Sequence, residues 1–173
     1  QPDLIHCNDW MTGLIPAMAR RLDIRCLMTV HNIHTRLMML SEIEESGIDA
    51  AEFWQYLYYK CPPYCYEESR ETNPVDFLAS GIFASHFINT VSPKFLTEVV
   101  EGIHDFVPDT IRGEVSAKYH AGCASGILNA PDHSYHPMQD IHIAENYDCT
   151  SHREGKRKNK LELQRKTGLL QNP

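Results

Sequence analysis

Short apolar segments that each end in polar residues recur along this 173-residue chain, and they constrain its fold more than any other feature. The first covers residues 3–8 and the second covers residues 25–30, with Trp10, Leu14 and Met18 at helical spacing between them. A strand, a short helix and a second strand within about 30 residues form a βαβ unit, in which the two strands are parallel. The start of the chain therefore predicts a parallel sheet.

The same alternation returns in the second half of the chain. Apolar residues at helical spacing follow residue 74, and residues 87–91 regain the character of a strand. Ser92 and Pro93 then mark a helix start, because a hydroxyl caps the first turn and proline suits the first helical position. Residues 125–130 form a fourth apolar run that ends at a proline. Four strands alternating with helices predict an α/β fold with a parallel sheet flanked by helices.

Composition and charge exclude several classes of protein. The chain has 16 Lys and Arg against 23 Asp and Glu, a net charge of −7, which argues against nucleic acid as a partner. No apolar run approaches the roughly 20 residues that a membrane helix needs. Cys7 and Cys26 lie inside apolar runs as free thiols do, which favours a cytoplasmic location. The first residues resemble neither a signal peptide nor a natural start, so we expect a piece of a longer protein.

Charge also divides the chain into two regions. Residues 1–152 carry 9 basic and 21 acidic groups, whereas residues 153–173 carry 7 basic and 2 acidic groups. The basic run in the second region is consistent with a polyanion-binding patch or with the solvated face of a helix that ends at Gly168. We favour the helix, because leucines recur within the run and charge blocks on helices are mostly surface.

The segment from residue 33 to residue 74 is dense in aromatic side chains, among them Phe53, Trp54, Tyr59 and Tyr64. Such a segment could stack sugar rings, since aromatic faces suit the C–H faces of a pyranose. It could equally form a cap that packs on the edge of the sheet. Aromatic residues are more often buried than exposed for a ligand, so the cap is the preferred interpretation.

Polar residues follow the predicted strands where a ligand of a parallel sheet would bind. Asn8 and Asp9 follow the first strand, His31 and Asn32 follow the second, and Asn129 lies in the fourth apolar run. Their carboxylate, imidazole and carboxamide groups could hold a polyhydroxylated ligand at the carboxyl ends of the strands. Each also has a structural interpretation, since Asn8 and Asp9 could cap a helix, His31 could be a packing residue and Asn129 could belong to a turn.

Metal and nucleophile sites have little support. His31 and His34 form an HxxH pair, and Cys61 and Cys65 form a CxxxC pair, but neither pair has further ligands at metal-site spacing. We therefore predict no metal site. The chain also lacks the GxSxG, GxGxxG and Walker patterns of nucleophile elbows and phosphate-binding loops.

Several motifs occur together in a characteristic order. They are HCNDW at residues 6–10, TVHN at 29–32, FLASGIFASHFINTVSP at 77–93, SGILNAPD at 125–132 and a Lys, Asn, Leu and Gln pattern at 156–169. In order and spacing they resemble bacterial glycogen synthases and plant starch synthases, which are retaining glucosyltransferases built from two Rossmann-like domains, the GT-B fold. The resemblance implies that residues 1–152 are the C-terminal part of the acceptor-binding N-terminal domain. Residues 153–173 would be the interdomain segment and first helix of the nucleotide-sugar domain.

The same resemblance implies roles for individual residues. His31 and Asn129 match catalytic residues that contact the donor glucose. Asp9 matches a substrate-binding acidic residue on the acceptor side, and Asn32 is also expected to bind substrate. The family's HDWH sequence stands here as residues 8–11, Asn-Asp-Trp-Met, so two imidazoles are replaced and the acceptor preference is left open.

The implied activity is transfer of glucose from ADP-glucose or UDP-glucose to the non-reducing end of an α-1,4-glucan, with neither a cofactor nor a metal. The alternative is a non-catalytic glucan-binding or regulatory module. This piece alone is expected to be inactive and to self-associate.

Overall fold

The computed structural model describes residues 2–172. Its strands are β1 (Leu4–Asn8), β2 (Arg25–Val30), β3 (Leu37–Met38), β4 (Val75–Asp76), β5 (Phe87–Thr90) and β6 (Ala124–Gly126). Its α-helices are α1 (Ile15–Arg20), α2 (Leu40–Glu45), α3 (Tyr66–Thr72), α4 (Phe77–Ala84), α5 (Pro93–Val100), α6 (Asp109–His120) and α7 (His152–Thr167). Single turns of 3₁₀-helix occur at Trp10–Thr12, Ala50–Glu52, Trp54–Tyr56 and His133–Tyr135.

The predicted parallel sheet is confirmed. Strands β1, β2, β5 and β6 form one four-stranded sheet in that order, and all of its pairings are parallel. Cys7 pairs with Met28, Met28 with Ile88, and Ile88 with Ala124, so these side chains share one face. Because all four strands are parallel, the polar residues that follow them emerge at one edge of the sheet.

The fourth strand is shorter than the predicted 125–130. Ile127 donates its backbone N–H to the carbonyl oxygen of Thr90 at 2.8 Å, and Thr90 is the last residue of β5. After Thr90 the chain turns into α5. Ser92 caps this helix, and its hydroxyl oxygen accepts a hydrogen bond from the Phe95 N–H. Residues 127–130 therefore have no strand beside them to continue the ladder. Gly126 is required there, because a Cβ would lie 2.2 Å from the Cα of Pro93.

Helices α4, α5 and α6 cover the face of the sheet that carries Cys7, Met28 and Ile88. Their apolar residues form the main core together with those strand residues. Helix α1 packs on the same face, where Ala19 contacts the cluster of Ile24 and Cys26. Right-handed crossovers explain this arrangement, since strands added in one direction place every connecting helix on one side.

The opposite face of the sheet carries a row of hydrogen-bonded polar side chains. The Thr29 hydroxyl donates to Oδ1 of Asn89 at 2.7 Å, and Nε2 of His6 lies 2.7 Å from the same hydroxyl oxygen. Since the Thr29 hydroxyl donates its proton to the hydrogen bond with Asn89, its oxygen accepts a hydrogen bond from the N–H at Nε2 of His6. Three strands are thus joined by side chains as well as by their backbones.

The aromatic segment forms a second core rather than an open platform. Phe53 and Tyr59 are buried with apolar residues of α1, α2 and α4, and the Trp54 ring packs against Tyr66 at a centroid distance of 6.2 Å. Strands β3 and β4 form a two-stranded antiparallel sheet that joins this segment to the start of α4. The cap interpretation is confirmed for the buried rings, although they pack on helices rather than on the sheet edge. Tyr64 is 90% exposed.

The chain divides into two compact units, residues 1–129 and residues 130–173. In the second unit, Asn159 of α7 accepts from the Glu145 N–H and donates to the Glu145 carbonyl oxygen. Helix α7 ends at Gly168, whose φ of 71° closes the last turn as the sequence predicts. The proposed assignment of residues 1–152 and 153–173 to different domains of a longer protein stays a prediction. Within the described residues, no helix is both long enough and apolar enough to cross a membrane.

Candidate functional site

Asp9 lies directly beyond β1 in an unusual backbone conformation. Its N–H donates to the carbonyl oxygen of Thr29 at 3.0 Å, which adds one bond to the β1–β2 ladder. Its φ is 53° and its ψ is −175°, a region that residues other than glycine rarely adopt. Such a conformation costs on the order of 1–3 kcal/mol and persists where neighbouring contacts impose it, which is common at functional sites.

The contacts that impose this conformation are made by the Asp9 carboxylate. Oδ1 accepts from the His31 N–H at 2.7 Å and from the Asn32 N–H at 3.4 Å, while Oδ2 accepts from Nδ2 of Asn32 at 3.2 Å. Asp9 is buried, with 6% of the residue exposed. Among the described contacts the carboxylate makes none to the turn at Trp10–Thr12, so the alternative in which the Asp9 side chain caps a helix is not supported. The carboxylate holds the loop after β2 instead.

His31 is exposed at the carboxyl end of β2, and its ring is held by a neighbour from β1. Nε2 of His31 lies 3.0 Å from Oδ1 of Asn8. A carboxamide oxygen only accepts, so Nε2 donates in this contact, and in the neutral ring the lone pair is then on Nδ1. The ring can therefore present a hydrogen-bond acceptor to a sugar hydroxyl.

Asn8 is one of the polar strand-end residues, but the family resemblance implies no role for it. Its contact with His31 is not predicted from the sequence. The register explains the contact, because Asn8 pairs with Thr29 and His31 lies two residues farther along the chain. The two side chains therefore emerge on the same side of the sheet edge.

Asn32 continues the loop and connects two parts of it. Its Oδ1 accepts from the His34 N–H at 2.9 Å, while its Nδ2 donates to Asp9. The structure thus brings together three of the four predicted site residues, Asp9, His31 and Asn32. Their roles stay predictions.

Asn129 is exposed and lies three residues beyond β6. Strands β2 and β6 are separated by β5, and neighbouring strands are about 4.8 Å apart, which places the ends of β2 and β6 about 10 Å from each other. Among the described residues, no hydrogen bond joins Asn129 to His31. Strand ends about 10 Å apart can still present groups to opposite sides of one ligand ring.

The buried thiols of the sheet are not suited to nucleophilic chemistry. Burial in the core raises the pKa of the Cys7 thiol to about 11. Burial likewise raises the pKa of Cys26. Both side chains remain protonated near neutral pH, and a thiol is a poor nucleophile. Cys61 and Cys65 are free thiols, and the described residues contain no cluster of three or more His, Cys, Asp or Glu arranged to hold a metal.

The sequence of this chain matches a family model and several known proteins. Residues 1–107 match the model of the starch synthase catalytic domain. Similar proteins include the glycogen synthase of Cellvibrio japonicus, 34% identical over 99% of this chain, and that of Exiguobacterium sibiricum, 30% identical over 99%. The chain spans about a third of the length of these relatives.

The structure is also similar to a solved one. The catalytic domain of starch synthase IV from Arabidopsis thaliana, bound to ADP and acarbose, is 25% identical with a TM-score of 0.68, covering 100% of this chain and 34% of that one. The strand-end cluster of Asp9, His31 and Asn32 thus lies in a partial GT-B catalytic domain, as the motifs predict. The chain belongs to the starch synthase catalytic domain family of glycosyltransferases.

Proposed function

We propose that this chain is part of an α-glucan synthase. The complete protein would transfer glucose from ADP-glucose or UDP-glucose to the 4-hydroxyl at the non-reducing end of an α-1,4-glucan, with retention of configuration. The observation that carries the proposal is the cluster of His31, Asp9 and Asn32 at the carboxyl ends of two parallel strands. The family and the names of the relatives support the reaction class.

His31 and Asn129 would act on the donor glucose. A ring nitrogen and a carboxamide on either side of the sugar would fix its position and stabilise charge as the bond to the leaving diphosphate breaks. The contact between Asn8 and Nε2 of His31 supports this role, since it orients the imidazole before the sugar arrives. Preorganised polar groups of this kind need no rearrangement in the transition state.

Asp9 and Asn32 would form the substrate-binding surface beside the donor glucose. The Asp9 carboxylate is buried and its oxygens are already occupied by the loop after β2. Its effect on the acceptor would therefore pass through the loop that it holds, and Asn32 would be the group of the pair nearer to the ligand. The acceptor in this proposal is an α-1,4-glucan.

The remaining parts of the proposal concern the complete protein. The donor is a substrate and the reaction needs neither a metal nor a further cofactor, because the chemistry rests on positioning and charge. Residues 1–152 would belong to the acceptor-binding domain and residues 153–173 would lead into the nucleotide-sugar domain. We place the protein in the cytoplasm, where sugar nucleotides are made.

The test uses the full-length protein that contains this chain. It is incubated with maltohexaose and either ADP-glucose or UDP-glucose, and the products are separated by length and their new linkage is examined by NMR. Elongation with an α-1,4 linkage from one of the two donors is the expected result. Binding of maltohexaose without elongation from either donor would refute the enzyme and support the non-catalytic glucan-binding module instead.

A further inference from the structure

A ligand-sized depression lies beside the strand-end cluster in the first unit. It is a cleft of about 450 Å³ lined by Asn32, Ile33, His34, Phe95, Phe106 and Pro108. Small-molecule sites typically enclose about 300–1,000 Å³ and combine apolar walls with a few polar groups. The cleft is continuous with the candidate site, because Asn32 lines it and also donates to the Asp9 carboxylate.

Phe95 and Phe106 supply the aromatic wall of the cleft, and the His104 ring packs between them in a tilted arrangement without lining the cleft. The His104 ring lies between Phe95 and Phe106, with centroid distances of 5.5 Å and 5.0 Å. Nε2 of His104 is 2.9 Å from a carboxylate oxygen of Glu98, which fixes the ring in place. Phe106, at the end of the stack, is 65% exposed. An exposed aromatic ring that is supported from behind is a preorganised binding surface.

The polar side of the cleft consists of carboxamide and imidazole groups. Asn32 uses one N–H of its amide for Asp9 and one lone pair of its oxygen for the His34 N–H, so its second N–H can still donate. The His34 side chain is exposed beside it. Uncharged donors and acceptors opposite an aromatic face suit a ligand with one apolar face and a rim of hydroxyls.

We propose that this cleft binds a glucosyl unit of the glucan acceptor, with its C–H face on Phe106 and its hydroxyls toward Asn32 and His34. This inference rests on the proposed function, which supplies the glucan. It adds a specificity-determining surface, because the aromatic residues that line the cleft, Phe95 and Phe106, belong to α5 and the loop after it rather than to the strand ends.

The test measures acceptor and donor dependence separately in the full-length protein. Phe106→Ala should raise the KM for maltohexaose roughly fivefold to tenfold and leave the KM for the sugar nucleotide unchanged, since a lost aromatic contact weakens only the ligand that it touches. Phe106→Tyr keeps the ring and should retain the wild-type KM. Phe106→Leu keeps apolar area without the ring and should behave like the alanine variant.

Tyr119→Ala is the matched control, because Tyr119 is also an exposed aromatic ring packed on a histidine, His120, but lies at the end of α6 outside the cleft. It should leave both KM values unchanged. An unaltered KM for maltohexaose in Phe106→Ala, or a raised KM for the donor instead, overturns the subsite while the proposed synthase stands. If the wild-type protein elongates nothing, the synthase fails. In that case calorimetry of maltohexaose binding tests the subsite separately. The subsite is supported if Phe106→Ala weakens the binding and is refuted if it does not.

Discussion

Removing the Asp9 carboxylate should release the loop that carries His31. The carboxylate makes two short contacts, 2.7 Å to the His31 N–H and 3.2 Å to Nδ2 of Asn32. Hydrogen bonds to charged groups contribute about 1.5–3 kcal/mol each, so their loss in Asp9→Ala should cost about 3–6 kcal/mol locally. At 1.4 kcal/mol per factor of ten, this corresponds to at least a hundredfold loss of protection at the His31 amide.

Hydrogen exchange of the His31 amide measures this loss directly, because it reports local opening without requiring the protein to unfold as a whole. Asp9→Gly removes the same contacts but tolerates the φ of 53°, so it should be less destabilising than Asp9→Ala by about 1–2 kcal/mol. Asp9→Asn replaces the Oδ2 acceptor with a donor and should give an intermediate loss. Wild-type protection at His31 in Asp9→Ala would refute the account of the loop, and equal stability of the glycine and alanine variants would refute the strain at Asp9.

Three further outcomes are expected. Because His31 and Asn129 would hold one glucose, the rate losses of His31→Ala and Asn129→Ala in the full-length protein should be non-additive in a double mutant; strict additivity would argue for separate roles. The 173-residue chain alone should transfer no glucose and should self-associate through the unpaired edge of β1; light scattering showing a monomer, or turnover by the piece, would contradict this. Hydrogen bonds from Thr150 and Ser151 hold the pKa of Asp148 far below its ordinary value of 3.8, so its stabilisation of the turn before α7 is complete above that pH and lost as pH falls below it. The protection factor of the Ser151 amide, which corrects for the intrinsic pH dependence of exchange, should fall between pH 5 and pH 2, and in Asp148→Asn it should not change over that range.

The strands of the parallel sheet could be predicted because each is a continuous apolar run bounded by polar residues. Residues 25–30 are β2 as predicted, and the Ser92 and Pro93 start of α5 follows from hydroxyl capping and the fixed φ of proline. The end of β6 could not be predicted in this way. It depends on where the neighbouring β5 stops, which is a property of another segment of the chain.

In the candidate site, too, some features follow from the local sequence and others depend on a distant segment of the chain. The residues that follow parallel strands could be identified from the sequence, since the strand ends meet at one edge. The Asn8–His31 contact depends on the register of β1 against β2, and the positive φ of Asp9 depends on the loop that its carboxylate holds. The aromatic stack of Phe95, His104 and Phe106 has no sequence pattern, because its rings come from a helix and the loop that follows it.

The most direct test of the account is His31→Ala in the full-length protein. The melting temperature and the initial rate of nucleoside diphosphate release are measured on one preparation. A preorganised polar contact to a developing charge typically contributes about 3 kcal/mol, so the rate at saturating substrate should fall roughly a hundredfold. The melting temperature should change little, because the His31 side chain is exposed and the backbone N–H that Asp9 binds is retained. A lowered melting temperature with an unchanged rate per folded molecule would show that His31 is a structural residue and would contradict the proposed site.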